Sequence, residues 1–310
     1  MQKYSHHAYR TVVLVLSLVT GVFFSALSVF AQRPPITLTP NHFDITAYPG
    51  EHVSLKTEFR NGTDATLSVH VTSEDFWPNG EEGGVALGRT EDTSFSLKNW
   101  VRPSMADQRV GPGETLPLDV SIQIPPNAEP GSRWGALLVT TDPTPGTEGK
   151  LVRTLITATL LLRVPGESSE EIVVESFSVS GVSQIAKAIP VVFTARFRNA
   201  GQVHLKPRGT ITVRNMLGSE VAKATLPEEN ALPGTVRKVQ AIIDDHDGWI
   251  GPYTATLEAT YGQSNRTISA RARFWVIPGQ TAGIAALVTL GVLATGIILR
   301  RRSTPKEMTM

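Results

Sequence analysis

Seven histidines, twenty-eight carboxylates and no cysteine are the raw material for chemistry in this 310-residue chain. The absence of thiols excludes disulfide scaffolds, iron–sulfur clusters, thiolate zinc sites and a cysteine nucleophile. The histidines, at 6, 7, 42, 52, 70, 204 and 246, form neither His-Glu-x-x-His nor His-x-His, the spacings that put two imidazoles on one metal. No Gly-x-Ser-x-Gly elbow and no Walker-type phosphate loop occurs, and Ser303 to Lys306 is the one Ser-x-x-Lys. Asp244-Asp245-His246-Asp247-Gly248 is rich in oxygen ligands but lacks the regular spacing and closing Glu of a calcium loop, so it reads as a solvated turn. Asn61-Gly62-Thr63 and Asn265-Arg266-Thr267 match the glycan acceptor pattern and read more simply as turns.

Two kinds of recognition chemistry remain. Glu74, Asp75, Glu81, Glu82, Glu91 and Asp92 crowd one stretch, and two of them at the right separation would cleave a glycoside; the separation is a matter of geometry, and such charges usually solvate loops. In the same stretch Trp77 and Trp100 offer indole faces for a sugar ring, with Phe76 beside them and Asn79 and Arg102 as polar contacts. Phe76, Trp77, Asn79, Trp100 and Arg102 are therefore the candidate ligand-binding residues, although Trp100 also suits a core. The expectation is a binding protein and not an enzyme, with no catalytic residues, metal or cofactor.

The elements that would hold these residues are framed by two uncharged runs. Lys3 and Arg10 precede an uncharged run over 11–30, and Val29-Phe30-Ala31 supplies small residues at the −3 and −1 positions of a cut after Ala31. This is the layout of a signal peptide over 1–31; an uncleaved anchor is the alternative. At the other end 281–299 is uncharged and, at about 1.5 Å per residue, reaches about 28 Å as a helix, close to the thickness of bilayer hydrocarbon. Arg300, Arg301 and Arg302 follow at once and mark a cytoplasmic tail over 300–310. A single-pass protein of the cell membrane is expected, its large domains extracytoplasmic and its C-terminus cytoplasmic. With the charges of both ends set aside, 23 basic and 27 acidic residues remain, and no basic cluster suits nucleic acid.

Between the runs the fold class reads as all-β: two tandem immunoglobulin-like β-sandwich domains, followed by one C-terminal transmembrane helix. Seven Pro-Gly dipeptides punctuate short β-branched runs, and such turns reverse strands. Strict alternation at Val53, Leu55, Thr57, Phe59 and at Leu116, Leu118, Val120, Ile122, Ile124 gives each run a core side and a wet side. The plan occurs twice. VSLKTEFRNGT (53–63) matches VVFTARFRNAG (191–201), predicting Phe59 and Phe197 in the cores and left-handed turns at the asparagines that follow. Pro130-Gly131 leading to Trp134 likewise parallels Gly251-Pro252-Tyr253, which also fits a tyrosine corner. The acidic turn at 165–171 divides domain 1 (32–166) from domain 2 (167–278), and the extra length of domain 1 is expected in 73–109.

With these residues in place, the chain resembles the WxL-interacting proteins of bacterial cell surfaces. The resemblance is carried by FDITAYPGEHVSLKTEFRNGTDATLSVHV (43–71), GPGETLPLDVSIQIPPNAEPGSRWGALLVTT (111–141) and, more loosely, the Gly-Pro-Tyr strand. It implies a signal peptide, an Ig-like peptidoglycan-binding domain, a second sandwich for a partner, and a membrane anchor. The first sandwich is also similar to that of periplasmic pilus chaperones, which lack such an anchor. The resulting expectation is a membrane-anchored adhesion protein that recognises cell-wall glycan (peptidoglycan) or another surface protein. The alternative is a chaperone-like assembly scaffold that adds a strand to its partner.

Overall fold

The computed structural model describes residues 36–88, 94–145, 151–180, 190–244, 249, 251–276 and 288–295. The first domain comprises β1 (Ile36–Thr39), β2 (His42–Thr46), β3 (His52–Asn61), β4 (Leu67–Glu74), the hairpin of β5 (Phe76–Asn79) and β6 (Gly84–Leu87), a 3-10 turn (Lys98–Trp100), β7 (Val101–Pro103), β8 (Asp107–Val110), β9 (Thr115–Gln123), β10 (Gly131–Thr141), the short pair β11 (Thr144–Pro145) and β12 (Leu151–Val152), and β13 (Leu155–Val164). A sheet ordered β1-β3-β9-β7 packs on one ordered β2-β13-β10-β4-β8. The second domain is β14 (Ile172–Ser180), β15 (Val191–Asn199), β16 (Arg208–Asn215), β17 (Glu220–Thr225), β18 (Val236–Ile243), β19 (Gly251–Tyr261) and β20 (Arg266–Val276). Here β14-β15-β18 faces β17-β16-β19-β20 around one core.

The two alternating runs of the first domain turn out to be each other's partners. Phe59, Thr57, Leu55 and Val53 of β3 stand opposite Leu116, Leu118, Val120 and Ile122 of β9, so both apolar sets share one face. Thr57 is the polar member, and its hydroxyl donates to the Pro40 carbonyl at 2.8 Å, which makes its burial tolerable. Phe59 and Phe197 are fully buried, each in its own domain core.

The asparagines after them differ from expectation. Neither takes a positive φ; both are buried latches. Asn61 donates through Nδ2 to the carbonyls of Ala65 (2.8 Å) and Val110 (3.0 Å), and Asn199 does the same to Val203 (2.7 Å) and Ala231 (2.8 Å). Each backbone carbonyl accepts from a Pro-Gly turn on a neighbouring strand connection, Asn61 from Gly113 and Asn199 from Gly234, and both glycines lie at positive φ. The twofold plan is thus an Asn side chain and a Pro-Gly turn closing the same end of each sandwich.

Trp134 and Tyr253 are not equivalent in the same way. Trp134 is three residues beyond Gly131 and Tyr253 two beyond Gly251, and in a strand that difference of one reverses the face. Tyr253 enters the core of its domain, stacked on Trp249 with ring centroids 4.9 Å apart. Trp134 points the other way, into a cluster with Phe76, Ala136, Leu161 and Leu232, the last of which comes from the second domain.

Among the described residues no helix is long and apolar enough to cross a membrane. Of the expected span over 281–299, the described part, 288–295, is helical and carries exposed Val288, Leu290, Val292 and Leu293. The rest of that span lies outside the described residues, as do the expected signal peptide 1–31, the tail 300–310 and most of the acidic turn at 244–248.

Candidate functional site

The five expected ligand residues fall into two groups. Phe76, Trp77 and Asn79 lie on β5, whose hairpin with β6 forms part of the expected insertion. Phe76 is buried at the domain junction, while Trp77 is 41% exposed with its ring centroid 6.4 Å from that of Trp134. Asn79 is exposed at the hairpin turn. Trp100 ends the 3-10 turn and packs against the core of the first domain under the Arg133 guanidinium, 5.8 Å from the ring centre. Arg102, on β7, is exposed and donates to the Val101 carbonyl at 2.9 Å.

The acids of the insertion are committed to the fold. Glu74 holds Lys98 at 2.6 Å, and Asp75 accepts from the Ser96 hydroxyl and from the amides of Leu97 and Lys98. Glu81 accepts from Arg196 Nε at 2.6 Å and Glu82 from Lys238 at 2.8 Å, both partners belonging to the second domain. Arg196 holds the Glu81 carboxyl below its ordinary pKa through that hydrogen bond, and Lys238 does the same for Glu82. The Lys238 amide also donates to the Glu81 carbonyl. The extra length of domain 1 is therefore an arm that braces domain 2; Glu91 and Asp92 lie outside the described residues.

A second brace has the residue types of an acyl-transfer triad. His204 of the second domain sits between Ser132 Oγ, 2.6 Å from Nδ1, and Asp44 Oδ1, 2.9 Å from Nε2. The resemblance stops at chemistry, because Ser132 is fully buried and its oxygen also accepts from the His204 amide at 2.7 Å. A hydroxyl used twice and shut from solvent has no path to a carbonyl substrate. The series ties the domains together, and the His204 contact pulls the Asp44 pKa below its usual value. Nothing local in the sequence links Asp44, Ser132 and His204, so this group was invisible before folding. Beyond it, Arg163 pairs with Glu170 across the connection, and Glu170 accepts from the Gln263 amide at 3.0 Å.

Between the hairpin and the second domain lies a cavity of about 290 Å³, lined by His42, Phe76, Leu161, Lys206, Leu232 and Arg237. Burial lowers the pKa of His42 there. Asn230 Oδ1 and Arg237 Nε, on lining residues, are buried without a hydrogen-bond partner among the described residues.

The other candidate site is a strip of backbone. β13 pairs with β10 along its whole length, but its other side is covered by β2 only from Thr159 to Arg163. The Thr159 amide donates to Asn41 on the β2 side, so by the two-residue period the amides and carbonyls of Leu155 and Thr157 face the same way. Among the described residues no strand pairs with 155–158 on that side. This stretch, Leu-Ile-Thr-Ala, carries no charge. Leu155 is 47% exposed and Leu151, on β12 just before it, is 71% exposed. Ile156 and Ala158 face the core, so a strand added here would extend the core face of the sheet. Two edges of the second domain are differently dressed: β20 carries Arg266, Arg271 and Arg273, and β17 carries Glu220 and Lys223, charges that discourage pairing.

No family model and no curated protein matches the sequence. Among solved structures the chain is similar to the YadV chaperone at 9% identity and TM-score 0.37, over 78% of this chain and 100% of that one. It is similar to the CupB2 chaperone of Pseudomonas aeruginosa at 8% identity and TM-score 0.34, over 76% of this chain and 99% of that one. It is also similar to the CsuC–CsuE chaperone–tip adhesion subunit pre-assembly complex from archaic chaperone-usher Csu pili of Acinetobacter baumannii, at 11% identity and TM-score 0.36, over 77% of this chain and 98% of that one.

Proposed function

We propose that this chain is a non-enzymatic, membrane-anchored binding protein that takes up an extended segment of a partner polypeptide by strand addition along 155–158. The single observation that carries the reading is the uncharged, unpaired side of β13 ahead of β2, with Leu155 and Leu151 exposed beside it. Main-chain hydrogen bonds to Leu155 and Thr157 supply affinity, and alternate side chains of the incoming strand supply selectivity. The partner segment is extended, pairs with the four residues 155–158, and is apolar at every second position, because the edge continues a face built from Ile156 and Ala158. The uncharged run 281–299 and the basic triplet after it support a single span with the sandwiches on the extracytoplasmic side. The committed acids of the insertion and the buried Ser132 hydroxyl favour binding over hydrolysis. Glycan stacking on Trp77 is a second reading, favoured by the exposure of that indole alone.

Panning a displayed library of short peptides against the intact chain tests the reading. Enriched peptides should alternate apolar and polar residues and should lose binding to Thr157→Pro, which removes an outward amide without touching the ladder to β10. Enrichment of peptides indifferent to Thr157→Pro would count against it.

A further inference from the structure

We infer that the end of the second sandwich from which the chain leaves toward 281–299 rests on an anionic phospholipid surface, with Met216 and Leu217 entering the headgroup layer and Arg214, Arg271 and Arg273 facing lipid phosphates. The inference rests on 281–299 being the membrane span and adds to that reading a surface of the folded domain.

The register places the groups together. Asn215, Tyr253 and Phe274 stand in one row across β16, β19 and β20, so the β16–β17 turn and the C-terminal end of β20 share one end of the sandwich. That turn presents Met216 at 76% and Leu217 at 82% exposure. It is an ordered tip: Asn215 Oδ1 accepts from the amides of Leu217 and Ser219, each at 3.0 Å. Two large apolar side chains held rigidly in water gain nothing for the fold and mark a contact surface. Beside them Trp275 is 64% exposed on the outer face of β20, and indoles favour the water–lipid boundary.

The charge fits the same occupant. Arg271 and Arg273 share that outer face with Trp275, are exposed, and have no ion pair among the described residues. Arg214 stands in the same row as Arg273 through Thr254, donates to the Gly218 carbonyl at 3.4 Å and meets the exposed Glu220 at 3.9 Å. An open concavity of about 540 Å³, lined by Arg214, Arg271, Thr212, Thr254 and Thr256, lies between them and is polar enough for a phosphate headgroup; Glu258 closes its far side. Asp244 follows β18 and so belongs to the opposite sheet, which leaves the arginine face as the side turned to the lipid.

The length of the connection supplies the reason for a membrane. Thr281 is five residues beyond Val276, and at about 3.5 Å per residue the end of β20 stays within about 18 Å of the start of the uncharged run. The connection is thus short enough for apolar tip, indole and arginines to reach the headgroups.

Because the chain has no cysteine, single labels report directly. Full-length Leu217→Cys, carrying an environment-sensitive fluorophore, is reconstituted into phosphatidylcholine vesicles with or without phosphatidylglycerol, each doped with lipid quenched at the headgroup. The Leu217 label should be quenched in the anionic vesicles while a label at Leu151→Cys is not. Arg271→Glu and Arg273→Glu together should abolish the quenching, each arginine being worth about fivefold in surface partitioning, which corresponds to about 1 kcal/mol. A chain that survives an alkaline carbonate wash on the vesicles with its Leu217 label unquenched overturns the inference and leaves the span standing. A chain that the wash removes, but whose label was quenched beforehand, overturns the span and keeps the docking surface. Equal quenching in both kinds of vesicle overturns the role given to the arginines.

Discussion

At the scale of single residues, two buried asparagines close the sandwiches at one end. Asn199 satisfies the carbonyls of Val203 and Ala231 and accepts from the Gly201 amide at 2.9 Å. Asn199→Ala takes a partner from the Val203 carbonyl and the Gly201 amide, while the Ala231 carbonyl keeps the Leu205 amide, and should lower stability by about 1–3 kcal/mol, read from urea unfolding; a loss under half of that would show that water replaces the side chain. His70 makes a different contribution, on the surface. Its Nε2 lies 2.9 Å from Asp142 and its Nδ1 2.5 Å from Asp107, so one imidazole joins β4 to β8 and to the end of β10. The hydrogen bonds with Asp142 and then Asp107 raise its pKa above the ordinary 6.5. A group whose folded pKa is raised stabilises fully below its unfolded pKa, and the gain fades as pH rises through the folded value. The unfolding midpoint of the wild type should therefore fall relative to that of His70→Gln from about pH 6 upward; parallel profiles would refute the pairing. Neither set of contacts was legible in the sequence, because His70 and Asn199 reach Asp107, Asp142 and Ala231 over more than thirty residues, and the Asn-Gly and Asn-Ala-Gly strings look locally like ordinary turns.

Elements were more readable than contacts. The alternations in β3 and β9 and the repeat around Phe59 and Phe197 could be seen because a strand writes its two faces into successive residues. The parallel addition of β2 to β13 could not, since five residues of mixed polarity pair with a strand more than a hundred positions away. For the same reason the free half of β13 is not marked in the sequence: LITATLLLRV is one leucine- and threonine-rich strand, and only the endpoint of β2 divides it. Of the residues singled out for chemistry, Trp77 and Asn79 are at a surface, while Phe76 and Trp100 are largely occupied by packing. Thr157→Pro should melt within about 1 kcal/mol of the wild type, because the bond it removes is not made within the chain. A larger loss would place the Thr157 amide inside the ladder and not on a free edge.

Across the whole molecule, the two sandwiches are braced by the hairpin acids on Arg196 and Lys238, the Ser132–His204–Asp44 series, the Arg163–Glu170 pair and the Trp134 cluster that receives Leu232. Such an interface couples the domains, and calorimetry should show one unfolding transition for the wild type. His204→Ala removes the central strut and should split it into two; a single transition in the variant would mean that the apolar cluster suffices. The brace matters for function because it fixes the strip along 155–158 relative to the end from which the chain runs toward the apolar segment 281–299. Strand addition at that strip is the claim on which the account turns, and residue-resolved hydrogen exchange on the intact chain tests it most directly. The amides of Leu155 and Thr157 should exchange freely alone and become protected when an alternating apolar peptide binds; protection confined to the hairpin around Trp77, with those two amides unchanged, would contradict it.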